Sequence, residues 1–433
     1  MNHKTHPVDA TSARALELSG LRLALVDTDD AVAYEKWAQA DTRGFHGDEM
    51  KEDEARGFMD GVADRRTTGV YDDSAAGPGT PVATVNSWPT PLTVPGGEIE
   101  AWGISSVTVS PTHRRRGIAR NLLEAELRTA HELGLPLAML TVSEATIYER
   151  FGFAPAMVVA DLEIDTRRAR FTGPAASGRV HFVPRQQLRA EADALIERAR
   201  LATPGEIRAW SRQWDRQFGV TSEQADAGRK IRAVRYDDEA GRAQGFALYT
   251  LAEKESDYSQ HTAIVSYLLA LTPDAYAGLW QHVLELDLTA TVKAPLRSAD
   301  EPLIWQVNDQ RAITATHHDH LWLRILDVPA ALSARRYAAP LGLTITVTDD
   351  LGFAAGTYSL GSVVEPLSVV EPVETTTPDL TLTVNALSAI YLGGIKATTL
   401  TAAGHITEHT PGAAASIDLA FSSPVTPWLS IWF

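Results

Sequence analysis

Residues 102–155 read WGISSVTVSPTHRRRGIARNLLEAELRTAHELGLPLAMLTVSEATIYERFGFAP, and three unlike patterns follow one another there without a gap. Ile104, Val107 and Val109 make 103–110 a β-branched strand, which Pro111 ends because proline brings no ladder donor. Arg114, Arg115, Arg116 and Gly117 form a basic turn. From Ile118 the spacing becomes helical: Leu123, Leu127 and Ala130 recur at i, i+4 and i+7, Ile118 and Leu122 flank that face, and Glu124 and Arg128 make a favourable i,i+4 pair. Gly134 stops the helix and Pro136 lies beyond it. A basic turn between a strand and a helix start predicts an anion site, since the unpaired amides of the first turn point outward and the dipole there is positive. Gly117 lets the backbone approach a phosphate closely, with no Cβ in the way. Neither GxxxxGK[ST] nor GxGxxG is present, so the ligand is a phosphate-bearing molecule of another kind.

The string SVTVSPTHRRRGIARNLL resembles the acetyl-coenzyme A signature of the GNAT superfamily of N-acetyltransferases, whose Arg-x-x-Gly-x-Ala core is written here from Arg114 through Gly117 to Ala119. The apolar strand 137–142 and the short helix ending in YERFGF supply the second half of that pattern. More narrowly, VSPTHRRRG paired with SEATIYERFGFAPA is similar to the enhanced intracellular survival (Eis) acetyltransferases. The resemblance implies an acetyl-coenzyme A co-substrate. The backbone of Val107, Thr108 and Val109 would pair with the pantetheine arm, and Arg114, Arg115, Arg116, Gly117 and Ile118 would hold the pyrophosphate. The thioester would lie where the two strands splay apart, near Tyr148, a phenol able to protonate the leaving thiolate. The resemblance further implies that the chain end enters the first-domain cleft, with the carboxylate of Phe433 as base and substrate contact, and that the protein is a homohexamer.

At 433 residues, about 150 per domain predicts roughly three domains. With the resemblance, this reads as an α/β (α+β) chain of two tandem GNAT-like domains followed by a sterol-carrier-protein-like domain. The expected boundaries are 1–172 (catalytic), 173–315 (degenerate) and 316–433. A net charge of −16 argues against nucleic acid or an anionic membrane as partner and favours a cationic small-molecule amine. Cysteine is absent, which removes disulfides, thiol nucleophiles and cysteine-ligated zinc. No run has signal-peptide or membrane-span character, so a cytoplasmic protein is expected.

Residues 1–18 read as a flexible lead-in, 21–26 as a first strand, and 27–30 as the cap of a helix through Tyr34, Trp37 and Ala40. An acidic helix over 48–60 follows, then a hairpin from 67–71 to 81–88 around DDSAAGPGT. Trp37, Phe45, Trp88 and Trp102 are candidates for the acceptor wall, with Trp37 the preferred substrate contact. Eis proteins favour an aromatic residue where this chain has Ser106, which makes Ser106 a substrate-side position that departs from the family. Residues 157–164 are expected to close the first domain.

Beyond the Gly/Pro/Ser stretch 172–178 come helices over 188–200 and 207–218, strands over 230–236, 245–251 and 263–270, and a helix opened by Pro273. That order repeats the first cleft, but no Arg-x-x-Gly follows Leu271. His317, His318, Asp319 and His320 carry metal-ligating chemistry at poor spacing, so a polar turn is the preferred reading and no metal is expected. From Leu321 the chain changes character and resembles the sterol-carrier-like domain that ends Eis proteins. It includes two copies of VVEP, at 363–366 and 369–372, that read as an enlarged loop. The terminal TPWLSIWF is apolar enough to be docked, and Trp428 and Trp432 would bury the Phe433 carboxylate. Two other function classes fit the same residues: a protein or peptide lysine acetyltransferase, and a non-catalytic lipid or coenzyme A sensor.

Overall fold

The strand and helix patterns assemble into two units in a computed structural model, which describes residues 2–221, 225–254, 257–362, 368–374 and 377–433. Met1–Met157, Leu321–Ser423 and Phe433 belong to the first, Val158–His320 and Pro424–Trp432 to the second.

In the first unit, Arg22–Leu25 (β1), Arg66–Tyr71 (β2), Ala83–Val94 (β3) and Gly97–Val109 (β4) pair antiparallel in sequence order. Leu137–Thr141 (β5) then joins β4 in parallel, which requires a crossover. Ile118–Glu132 supplies it, and with Ala10–Glu17 (α1), Ala31–Gly44 (α2) and Glu52–Gly61 (α3) before it this helix is α4. Its apolar stripe of Ile118, Leu122, Leu123, Leu127 and Ala130 is buried against Trp102, Ile104 and Leu140 of the sheet. Ala145–Tyr148 (α5) and Ala154–Pro155 (β6) follow.

Residues 2–18 are not a flexible lead-in. Asp9 caps α1 by accepting from the Ser12 amide at 2.7 Å and takes Arg128 Nε at 3.0 Å, while Arg66 donates to the carbonyl of Pro7 at 3.1 Å. The helix is short and weakly apolar, so these long-range polar contacts rather than its own pattern hold it.

The second sheet is built from Val158–Asp165 (β7), Arg179–Phe182 (β8), Arg232–Asp237 (β9), Ala243–Ala252 (β10), His261–Ala270 (β11), Thr289–Ser298 (β12) and Ile313–Asp319 (β13), in the order β13-β7-β12-β11-β10-β9-β8. The strand expected to close the first domain is therefore β7, hydrogen-bonded on both edges in the second sheet. Alternation announces a strand but not its partner. His317, His318 and Asp319 lie in β13 and pair with β7, so the segment is strand and not turn. Among the described residues no cluster of three metal-ligating side chains forms.

Leu321–Ile325 (β14) returns to the first sheet between β5 and β6, all five residues buried, although sequence order attached it to the third domain. Leu341–Thr348 (β15), Gly356–Ser362 (β16), Ser368–Pro372 (β17), Leu380–Thr383 (β18) and Ile406–Glu408 (β19) make a third sheet ordered β17-β16-β15-β18-β19. Arg324 on β14 pairs with Asp349 at 2.7 Å, and Asn385 donates to the carbonyls of Glu149 and Phe153 at 2.7 and 2.9 Å, which ties this layer to the end of the first sheet. The second VVEP copy falls in β17, and 363–366 lies outside the described residues.

Candidate active site

Parallel pairing of β4 and β5 runs only from Ala101↔Leu137 to Gly103↔Met139. Beyond Gly103, β4 keeps β3 on one side and has no described strand on the other. The cause is local. Thr84 faces Thr108 while Asn86 faces Ser105, so β4 carries an extra residue there, and Ser106 adopts φ 57°. Such a bulge bends the strand away from its neighbour. Its open edge, with Val107, Thr108 and Val109, offers peptide groups to an amide-bearing chain.

The basic turn lies at the far end of that edge. Arg115 at φ 63° and Gly117 at φ 74° both take the left-handed conformation, and Gly117 is the N-cap of α4 with no side chain capping it. The amides of Ile118, Ala119 and Arg120 donate to nothing among the described residues. Free donors at the start of a 15-residue helix fit a pyrophosphate. Of the three arginines, Arg114 and Arg115 are exposed and make no ion pair among the described residues. Arg116 is tethered to Asp72 at 3.3 Å and to the Ser19 carbonyl at 2.7 Å. Hydrogen bonds from Ser74, then His113, then Arg116 hold the Asp72 carboxyl well below the usual carboxylate range, so it stays ionised and keeps Arg116 in place.

A Cβ on Gly117 would meet nothing closer than Asn121 at 3.5 Å, and aspartate tolerates the left-handed region better than most residues. Gly117→Asp therefore keeps the fold while placing a carboxylate at the pyrophosphate position. Coenzyme A affinity should fall by roughly a hundredfold or more. Unchanged affinity in calorimetry would rule out the anion site.

Two sequence candidates belong to the first unit. Tyr148, at the end of α5, is 7 % exposed and packs edge-on against Phe153 at 6.2 Å. Its hydroxyl has no hydrogen-bond partner among the described residues, and burial, with some help from Glu144, pushes its pKa up to about 12. Phe433 reaches Thr141, the last residue of β5. The Thr141 hydroxyl donates to the backbone oxygen of Phe433 at 2.7 Å, and the Phe433 ring meets Trp88 edge-on at 5.7 Å. Trp88 in turn covers Gly103, where a Cβ would come within 3.0 Å of the indole.

The other wall candidates divide. Trp37 is fully buried among Val26, Tyr34, Ala38 and Val62, and its indole donates to the Thr68 carbonyl at 2.9 Å. It faces the core and not a cleft. Trp102 is also core, donating to Glu126 at 3.1 Å, whereas Phe45 is 53 % exposed at the end of α2. Ser106 is buried: its hydroxyl accepts from Asn86 at 3.0 Å and its carbonyl from Thr84 at 2.8 Å. Trp428 and Trp432 make their ring contacts in the second unit, with Arg297 and His320.

Sequence reasoning missed the polar network behind the bulge. Asp41 on α2 sits behind Thr84 and Ser106. Thr84 and Thr108 hydroxyls meet at 2.6 Å, Arg65 donates to Asn86 at 3.0 Å, and the Arg65 guanidinium lies 3.5 Å over the Trp88 ring. A signal was present, since Asp41 stands i+4 from Trp37 and i+7 from Tyr34 on the buried face of α2. Desolvation raises the Asp41 pKa to about 7, against hydrogen bonds from Ser106 and Thr84 and the charge of Arg65.

A carboxyl whose folded pKa lies above its unfolded value binds more protons when folded, so stability is lost as pH rises from the ordinary carboxylate range to about 7. At about 1.4 kcal/mol per pKa unit the loss reaches at most about 4 kcal/mol. Asp41→Asn should flatten the fall of unfolding free energy between pH 4.5 and 7 (roughly the interval over which the proton leaves). A variant with the wild-type slope in denaturant titrations would show that Asp41 is ionised throughout.

Comparison with known proteins agrees with this geometry. Residues 29–156 and 205–325 each match an acetyltransferase (GNAT) domain family, and 328–430 match the sterol carrier protein domain. The chain is 34% identical over 403 residues to an uncharacterized N-acetyltransferase of Streptomyces avermitilis, covering 90% of this chain and 94% of that one. It is 32% identical over 361 residues to the N-acetyltransferase Eis of Mycobacterium tuberculosis, covering 81% and 85%. Among solved structures, Eis1 from Mycobacterium abscessus superposes with a TM-score of 0.78 at 28% identity over 95% of this chain and 100% of that one. Among the described residues no helix is long and apolar enough to cross a membrane.

Proposed function

Because the chain belongs to the Eis family of GNAT N-acetyltransferases, we propose that it acetylates amines of polycationic small molecules of the aminoglycoside type by direct transfer within a ternary complex. The observation that carries this is the terminal carboxylate of Phe433, fixed by Thr141 where β4 and β5 part. An anion there, in a chain of net charge −16, attracts a cationic acceptor and can take its proton.

We assign the chemistry to the first unit, Met1–Met157 with β14 and Phe433. Acetyl-coenzyme A, when bound, supplies an activated acyl group. The open edge at Val107, Thr108 and Val109 binds the amide arm, while the turn from Arg114 to Ile118 receives the pyrophosphate, Arg116 acting through its tether to Asp72. At neutral pH an amine with a pKa near 10.4 is mostly protonated and cannot attack. The Phe433 carboxylate, directly or through water, accepts that proton, and the Tyr148 hydroxyl donates a hydrogen bond to the departing sulfur. Trp88, held under Arg65, lines the acceptor side in place of Trp37. The degenerate domain takes in the second sheet, from β7 to β13, and the sterol-carrier-like domain follows β14. Assembly into a hexamer and a cytoplasmic location complete the proposal by family resemblance.

The reading is tested by relative kcat/KM on an aminoglycoside, a linear polyamine and a lysine-containing peptide. A preference for the first by at least roughly tenfold supports it, that being about 1.4 kcal/mol of transition-state discrimination. A preference for the peptide would make the protein a lysine acetyltransferase.

A further inference from the structure

The second unit repeats the splay of the first. Parallel pairing of β11 with β12 ends at Ile264↔Lys293, and β11 carries its own bulge, since Leu248 faces Tyr267 while Tyr249 faces Val265. In an acetyltransferase this gap takes the pantetheine arm. Here the phosphate end is closed. The helix after β11, Pro273–Leu284, is capped by Thr272, and its first turn carries Asp274, which accepts from the Ser177 amide and hydroxyl at 2.9 and 3.0 Å. A fixed carboxylate at that helix start repels a pyrophosphate.

The gap nevertheless holds an extended, peptide-bearing chain. The Trp428 indole donates to the carbonyl of Leu296 on β12 at 2.7 Å, its amide donates to Pro204 at 2.8 Å, and the Arg297 guanidinium lies 5.0 Å from its ring. Two residues on, the Ser430 amide donates to Glu206 at 3.1 Å, and Glu206 lines the same cavity as Trp428 and Tyr267 of β11. His320 then holds the Ile431 carbonyl at 2.8 Å. A cavity of about 420 Å³ remains beside Trp428, lined from β11 by Tyr267 and Leu269 and from β12 by Arg297.

We propose that the degenerate second domain is a receptor for the chain's own C-terminal segment, residues 424–432, with the Trp428 indole as the anchoring group in its former cofactor gap. The next residue after this segment is Phe433, so the receptor sets where the terminal carboxylate can be. That consequence rests on the proposed role of Phe433. The docking itself does not.

Trp428→Ala leaves a vacancy of indole shape beside a cavity through which free indole can enter, with an unoccupied acceptor at Leu296 and a cation to face its ring. In the full-length chain, amide exchange over 428–432 should speed up by roughly tenfold or more in the variant, and millimolar indole should slow it again. Turnover should fall and recover in parallel. Trp428→Phe, which keeps the ring and loses the N–H, should lie between, and serves if the alanine variant does not fold. Exchange unaltered in both variants, or unaltered by indole, overturns the receptor. Exchange that rises and is rescued while turnover stays at wild type upholds the receptor and removes Phe433 from the chemistry.

Discussion

One glycine appended after Phe433 should lower turnover by about a hundredfold to ten-thousandfold at saturating substrates, the range of general acid–base contributions. The extension leaves every side chain in place and moves only the charge. The Thr141 hydroxyl donates to the Phe433 backbone oxygen at 2.7 Å and accepts from the Phe433 amide at 3.3 Å, and a peptide carbonyl placed there would lack the charge that the proposed base needs. Loss of base catalysis predicts more than a lower rate. Activity should recover as pH approaches the amine pKa, because acceptor that is already neutral needs no base. A docked but idle tail predicts wild-type turnover at every pH. In that case the base must be sought on the acceptor side, where Asp41 is the buried carboxyl nearest the bulge.

Tyr148→Phe should cost a similar factor, about a hundredfold or more in kcat with little change in KM, since a contact made to developing charge is made only in the transition state. Burial limits what a contact of this proposed kind could be. With its pKa pushed up to about 12, the phenol keeps its proton throughout the neutral range and is a weaker acid than a free tyrosine. Full transfer to a thiolate of pKa about 8.5 is then uphill, so a hydrogen bond to the departing sulfur carries most of the effect. The kcat profile of the wild type should accordingly show no alkaline loss assignable to tyrosine below pH 10. A variant with wild-type kcat would leave Tyr148 as packing against Phe153.

The turn and its helix were legible because their causes are local. Gly117 needs a left-handed backbone, the stripe from Ile118 to Ala130 needs a sheet beneath it, and the motif spacing joins them. The helix over 31–44 shows where this fails. Trp37 and Asp41 share one face, and periodicity says that the face is buried without saying whether core or cleft covers it. Trp37 went to the core, and Asp41, one turn later, supports the bulge. Pairing partners were harder still. Strands β7 and β14 have unremarkable patterns, yet each is claimed by a sheet remote in sequence. The tail was read as docked under Trp428 and Trp432; Trp432 is 48 % exposed, and the anchors at Leu296, Glu206 and His320 are long-range contacts that no window of sequence contains.

In the proposed reaction the first domain passes an acetyl group directly from acetyl-coenzyme A to an amine. Mass spectrometry of both the small molecules and the intact protein, after incubation with acetyl-coenzyme A and a mixture of amines, tests it most directly. Amines heavier by one or more acetyl groups, an unmodified protein, and no product with Gly117→Asp are expected. Coenzyme A binding without acetylated amine, or an acetyl group retained on the protein, would contradict it.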